Sequence, residues 1–61
     1  MDKLKILVVD DEQRMRKLVR DFLVKQNFEV MEAGDGEEAV DLFYANKDIA
    51  LIILDIMMPK M

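Results

Sequence analysis

The sequence contains no cysteine and no histidine. The first absence leaves neither a disulfide framework nor thiolate metal ligation to staple a fold. The second removes the usual general base and the commonest zinc ligand. Glycine and proline are scarce, at two and one, while 52% of the residues are hydrophobic, a composition that argues against disorder. No repeat, low-complexity tract or Ser/Gly-rich linker divides the chain. Apolar runs are too short to span a bilayer, and Asp2 with Lys3 does not open a signal peptide, so a soluble, cytoplasmic protein is expected. The net charge of −4 argues against nucleic-acid contact by this segment. A chain of 61 residues makes one small domain at most and buries only about 60% of its unfolded surface, so its stability is expected to be marginal unless a partner helps.

What is present alternates between two periods. Residues 6–9 (ILVV) form an unbroken aliphatic run that ends at Asp10, as expected of a strand covered on both faces in a parallel sheet. Met15, Leu18, Val19, Phe22 and Leu23 then follow helical spacing as one apolar stripe, with Arg14, Arg16, Lys17, Arg20 and Lys25 off it. Asn27 suits the left-handed position where such a helix stops. Residues 28–32 (FEVME) read as a shorter strand nearer an edge. Asp35-Gly36 marks a turn, and Asp35 with Glu38 fits a capping-box start for a second helix. That helix carries Ala39, Val40 and Phe43 on one face with Leu42 beside them, and ends near Asn46. Residues 50–54 (ALIIL) are the third strand, ending at Asp55. The order β-α-β-α-β requires crossover connections and hence a parallel α/β sheet.

Asp10 and Asp11 follow the first strand and Asp55 follows the third. If those strands are parallel neighbours, three carboxylates converge at the carboxyl edge, where open α/β sheets bind ligands. Such a cluster repels itself unless a cation compensates it, and oxygen donors without Cys or His select Mg²⁺ or Mn²⁺. The plainer reading is that a single Asp after a strand is a turn residue or helix cap, with Asp11 or Glu12 capping the first helix.

Three segments, ILVVDDE (6–12), NFEVMEAGDGEEAVDLF (27–43) and LIILDIMMPKM (51–61), resemble the receiver domain of two-component response regulators over nearly the whole chain. The resemblance implies a flavodoxin-like fold with strand order 2-1-3. It also implies that Asp55 is the phosphoacceptor for a histidine kinase. It makes Asp11 a direct Mg²⁺ ligand, Asp10 an acid that holds the ion partly through water, and the backbone carbonyl of Met57 a further ligand. Pro59 sets the turn after the site, or simply ends the strand. Met57, Met58 and Met61 are otherwise filler rather than metal ligands. Lys60 is a poor substitute for the family's lysine. The exposed face of the first helix, with Arg14, Lys17 and Arg20, is either a kinase-docking surface or an ordinary solvated face.

A receiver has five βα units, and by the resemblance residues 1–61 are its amino-terminal two and a half. The Ser/Thr and Lys that complete the family's site are then missing, so phosphorylation is expected to be impaired. The third strand becomes an apolar edge. A homodimer with third strands paired, 2-1-3-3′-1′-2′, closes it. The rival function is a self-associating half-domain with a structural role and no phosphotransfer. A phosphohydrolase with an aspartyl nucleophile is set aside, because Met57 stands where that class wants an acid. In sum the chain is expected to be a signalling segment and not an enzyme.

Overall fold

The computed structural model describes residues 3–54. They form β1 (Lys5–Val9), α1 (Gln13–Lys25), β2 (Glu29–Ala33), α2 (Gly36–Ala45) and β3 (Ile49–Leu54). The sheet order is β2-β1-β3 with both pairings parallel, the flavodoxin-like arrangement expected from the sequence. No helix among the described residues is long and apolar enough to cross a membrane.

The alternation of β1 divides the core in two. Leu7 and Val9 pack with Ala33 and Ala39, and with Met31, Leu42 and Ile49, on the α2 face. Ile6 and Val8 pack with Leu23, Val19, Phe28, Val30 and Ile53 on the α1 face. A strand so enclosed has no solvent side, which is why it reads as a continuous apolar run. Full burial of Leu7, Val8 and Val9 stabilises by about 1.5–3 kcal/mol per side chain. Asp10, next in the same alternation as Ile6 and Val8, is carried into the α1 face at 3% exposure.

The helix ends follow from local chemistry. Asn27 has φ 73, in the left-handed region. Its N–H donates to the Val24 carbonyl at 3.0 Å, and that of Phe28 donates to the Leu23 carbonyl at 3.1 Å. These are the paired bonds of a Schellman ending, and Phe28 packs in the same cluster as Leu23, supplying its hydrophobic contact. At the start of α2, Asp35 Oδ1 accepts from the Glu38 N–H at 2.8 Å. Glu38 Oε1 accepts from the N–H of Gly34 at 2.9 Å, one residue short of the usual capping-box partner.

One expectation needs correction, and the sheet carries one irregularity that no reading of the sequence addressed. The stripe on α1 meets the sheet only through Val19 and Leu23, while Met15, Leu18 and Phe22 are exposed. The helix is turned so that Arg16 and Arg20, read as off the stripe, reach Glu32 on β2. Glu32 shares the α1 face with Val30, and a half-buried carboxylate left unpaired there is costly. The ladder between β1 and β3 also shifts: Lys5 lies opposite Ile49 but Ile6 opposite Leu51, skipping Ala50. A slip of one residue exchanges the two faces of a strand. The shift therefore places Ile53 opposite Val8 and Leu54 opposite Val9. Beyond β1, β3 is bounded by no other strand among the described residues, and Leu51, Ile52 and Leu54 are exposed.

Candidate functional site

The chemistry gathers at the carboxyl end of β1. Four polar groups of Asp10 have distinct fates. Its N–H donates to the Ala33 carbonyl at 3.1 Å, extending the β1–β2 ladder. Its carbonyl accepts from Arg16 Nη1 at 2.9 Å, and Oδ1 accepts from the Glu12 N–H at 2.9 Å. Oδ2 is buried and has no hydrogen-bond partner among the described residues. An orphaned carboxylate oxygen in a protein interior carries an uncompensated desolvation cost of roughly 1–3 kcal/mol. It is also what a hard cation needs.

The Glu12 contact is an Asx turn made by Asp10 and settles the capping question. Glu12 occupies the N-cap position of α1 with no side-chain bond, so neither reading of Asp11 or Glu12 as the cap holds. Asp10 instead takes the N–H of Glu12, the residue at the N-cap position itself. Asp11 and Glu12 are exposed. Asp11 is therefore adjacent to the orphaned oxygen in sequence and free of a structural duty among the described residues. Asp55 and Met57, the other two expected ligands, lie outside the described residues, as do Pro59 and Lys60. No group of three potential ligands occurs among the described residues. An orphaned carboxylate oxygen, an adjacent carboxylate and an all-oxygen donor set fit Mg²⁺ and do not fit zinc.

Behind Asp10 stands an ionic network that the sequence did not disclose. Arg16 Nε donates to Glu32 Oε1 at 3.0 Å, and Arg20 Nη1 donates to Glu32 Oε2 at 3.1 Å. Arg20 Nη2 also donates to Asp21 Oδ1 at 3.1 Å. The Asp21 hydrogen bond, then the charge of Glu32, raises the Arg20 pKa above its ordinary value. Arg20 is thus engaged, and the proposed cationic docking face keeps only Arg14 and Lys17 as exposed members. The available signal was two arginines one helical turn apart facing a strand that carries an acid at the inward position. At the far end of the sheet, Lys5 Nζ donates to Asp48 Oδ1 at 3.1 Å and holds the Asp48 carboxyl below its usual range.

A groove of about 360 Å³ opens elsewhere, on the α2 face, lined by Val40, Phe43, Tyr44, Ile52 and Leu54. It is apolar and contains no carboxylate. Asp10 lies on the opposite face, so this groove and the chemistry do not coincide.

Comparison with known proteins agrees with this fold. The family profile of the response regulator receiver domain matches residues 6–61. The transcriptional regulatory protein SrrA of Staphylococcus aureus strain NCTC 8325 / PS 47 is 46% identical over 56 residues, covering 92% of this chain and 23% of SrrA. SrrA of strain COL gives the same figures, 46% over 56 residues. A crystal structure of a response regulator receiver domain protein from Clostridium thermocellum superposes with a TM-score of 0.85 at 34% identity, covering 95% of this chain and 47% of that one. The chain thus spans less than half the length of each relative. These matches correct the expectation that the chain is simply not an enzyme. Receiver domains are phosphoacceptors, whose own residues take part in a covalent group transfer, and a plain non-enzyme description does not fit that.

Proposed function

The chain belongs to the response regulator receiver domain family, and on that footing we propose that Asp55 takes a phosphoryl group from a histidine kinase, with Mg²⁺ held by Asp10, Asp11, Asp55 and the Met57 carbonyl. Receiver domains as a family interact with histidine kinases and bind Mg²⁺ at the phosphorylation site. The observation that carries the reading for this chain is the buried, unpartnered Oδ2 of Asp10. The β1–β3 register supports it, since Val9 lies opposite Leu54 and the next residues in sequence are Asp10 and Asp55.

In the transfer, one carboxylate oxygen of Asp55 forms a bond to phosphorus as the bond from phosphorus to the kinase imidazole breaks. The electron pair of the broken bond stays on the ring nitrogen, which takes up a proton. When bound, Mg²⁺ supplies charge neutralisation at the phosphoryl oxygens. Asp10 contributes a carboxylate already fixed at its other oxygen, so little ordering is needed to present Oδ2. Arg14 and Lys17 are exposed cations on α1 offered to a kinase. The net charge of −4 makes nucleic-acid contact by this segment no part of the reading, whereas a cytoplasmic location is part of it.

The exposed outer edge of β3 is the place for a second copy, pairing third strands as a homodimer; sedimentation of a folded monomer at micromolar concentration would contradict that. The phosphoacceptor reading is tested by intact mass after incubation with a small acyl phosphate and Mg²⁺. A gain of one phosphoryl group, absent in Asp55→Asn, supports it. A slow or partial gain agrees with the impaired transfer expected of residues 1–61, and a wild-type chain that gains nothing contradicts the reading.

A further inference from the structure

We propose that Arg16, clamped by Glu32, is a positioning residue for the cation site: it fixes the peptide plane that joins Asp10 to Asp11. The inference rests on the Mg²⁺ reading above. The Asp10 carbonyl lies at the point where β1 has ended and α1 has not begun, so it has no ladder or helix partner to define it. Arg16 Nη1 supplies one at 2.9 Å. That carbonyl belongs to the peptide unit linking the two neighbouring acids. Because the unit is planar, holding its oxygen also sets the direction in which the Asp11 backbone leaves. The separation of the two carboxylates is therefore controlled by a side chain that touches neither of them as a hydrogen-bond donor.

The clamp is specified at both ends. Arg16 Nε is held at the same time by Glu32 Oε1 at 3.0 Å, and only a planar guanidinium presents two donors in this fixed fork. Glu32 in turn is held through its second oxygen by Arg20 at 3.1 Å, so its rotamer is set from both sides. The far wall is Gly34, where an added Cβ would lie 3.1 Å from Arg16 Nη1. Gly34 has no positive φ, so alanine meets no backbone strain there. Its effect falls on the guanidinium end that holds Asp10. The network leaves Asp10 Oδ2 untouched, as a support for a cation site should.

The test titrates Mn²⁺ into the full protein and reads binding by electron paramagnetic resonance, at a temperature where circular dichroism shows each variant folded. Wild type, Arg16→Lys, Glu32→Gln and Gly34→Ala are compared, with Asp10→Asn as the control that removes the ligand. Partners that orient metal ligands are worth about 10–100-fold in affinity, and Arg16→Lys is expected to lose at least about 10-fold because lysine cannot hold both acceptors. Gly34→Ala, which changes no charge, weakens binding in the same direction. A double Arg16→Lys/Glu32→Gln chain loses no more than the worse single variant, since the two act as one unit. If the clamp serves stability alone, the variants melt earlier but bind Mn²⁺ within twofold of wild type while folded, and the proposal is overturned. Failure of wild type itself to bind Mn²⁺ overturns the cation reading instead, a different result from binding that survives in Arg16→Lys.

Discussion

Asp10→Asn is expected to stabilise the metal-free protein while abolishing its response to Mg²⁺. Asparagine keeps an oxygen to accept from the Glu12 N–H, so the Asx turn at 2.9 Å survives. What changes is the second oxygen, buried at a residue only 3% exposed and without a partner. An unsatisfied buried acceptor costs roughly 1–3 kcal/mol, with the charged form at the upper end. An unpaired amide at the same place recovers only part of this, so the net gain is about 1 kcal/mol. For a domain of this size that raises Tm by about 4–8 °C. Binding acts the other way: a ligand at 100 times its dissociation constant stabilises the folded state by about 2.7 kcal/mol. Wild type therefore gains with Mg²⁺ and overtakes the variant, whose own curve stays flat. Thermal melts followed by circular dichroism, in chelator and across a Mg²⁺ series, measure both. An Asp10→Asn chain that melts below wild type in chelator, or gains equally from Mg²⁺, would refute the reasoning.

Leu7→Ala deletes a fully buried side chain of the central strand and should cost about 2–5 kcal/mol. Against a total of about 3–9 kcal/mol for 61 residues, that removes roughly half of the stability, read as a lower midpoint in urea titration. Asp35→Ala removes the 2.8 Å cap on Glu38 and should cost about 0.5–2 kcal/mol, with the loss of protection confined to the first turn of α2 in hydrogen exchange. The Lys5–Asp48 pair depresses the Asp48 pKa, so its contribution is present above the ordinary carboxylate value of 3.8 and is lost as the pH falls through the lower folded value. The stability difference between wild type and Asp48→Asn should accordingly hold from neutral pH down to about 3.8 and vanish below it. A difference that grows on acidification would contradict that sign.

Legibility in the sequence tracked how locally each feature is encoded. The strand at ILVV was plain because a strand buried on both faces cannot hide polar residues, and ALIIL was plain from its unbroken apolar run although most of it is exposed. Asn27 and Asp35 were plain because left-handed backbone and an open helix start each demand a short list of residue types. The rotation of α1 was not. Periodicity defines a broad apolar stripe but not which border of it meets the sheet, and the deciding pull comes from Glu32, a strand residue outside the helix. The register shift at Ala50 was equally hidden, since no glycine, proline or polar residue interrupts ALIIL to mark it. Among Asp10, Asp11 and Glu12, composition alone could not separate the buried acid from the exposed ones. Only the alternation that begins at Ile6 assigns Asp10 inward, and that depends on where β1 starts.

The central claim is that adjacent, parallel β1 and β3 deliver Asp10 and Asp55 to one cation. Isothermal titration of the full protein with Mn²⁺ tests it most directly, using wild type, Asp10→Asn and Asp55→Asn in parallel. The account predicts a single binding event per wild-type chain that both substitutions remove. An Asp55→Asn chain that binds with wild-type affinity would contradict it.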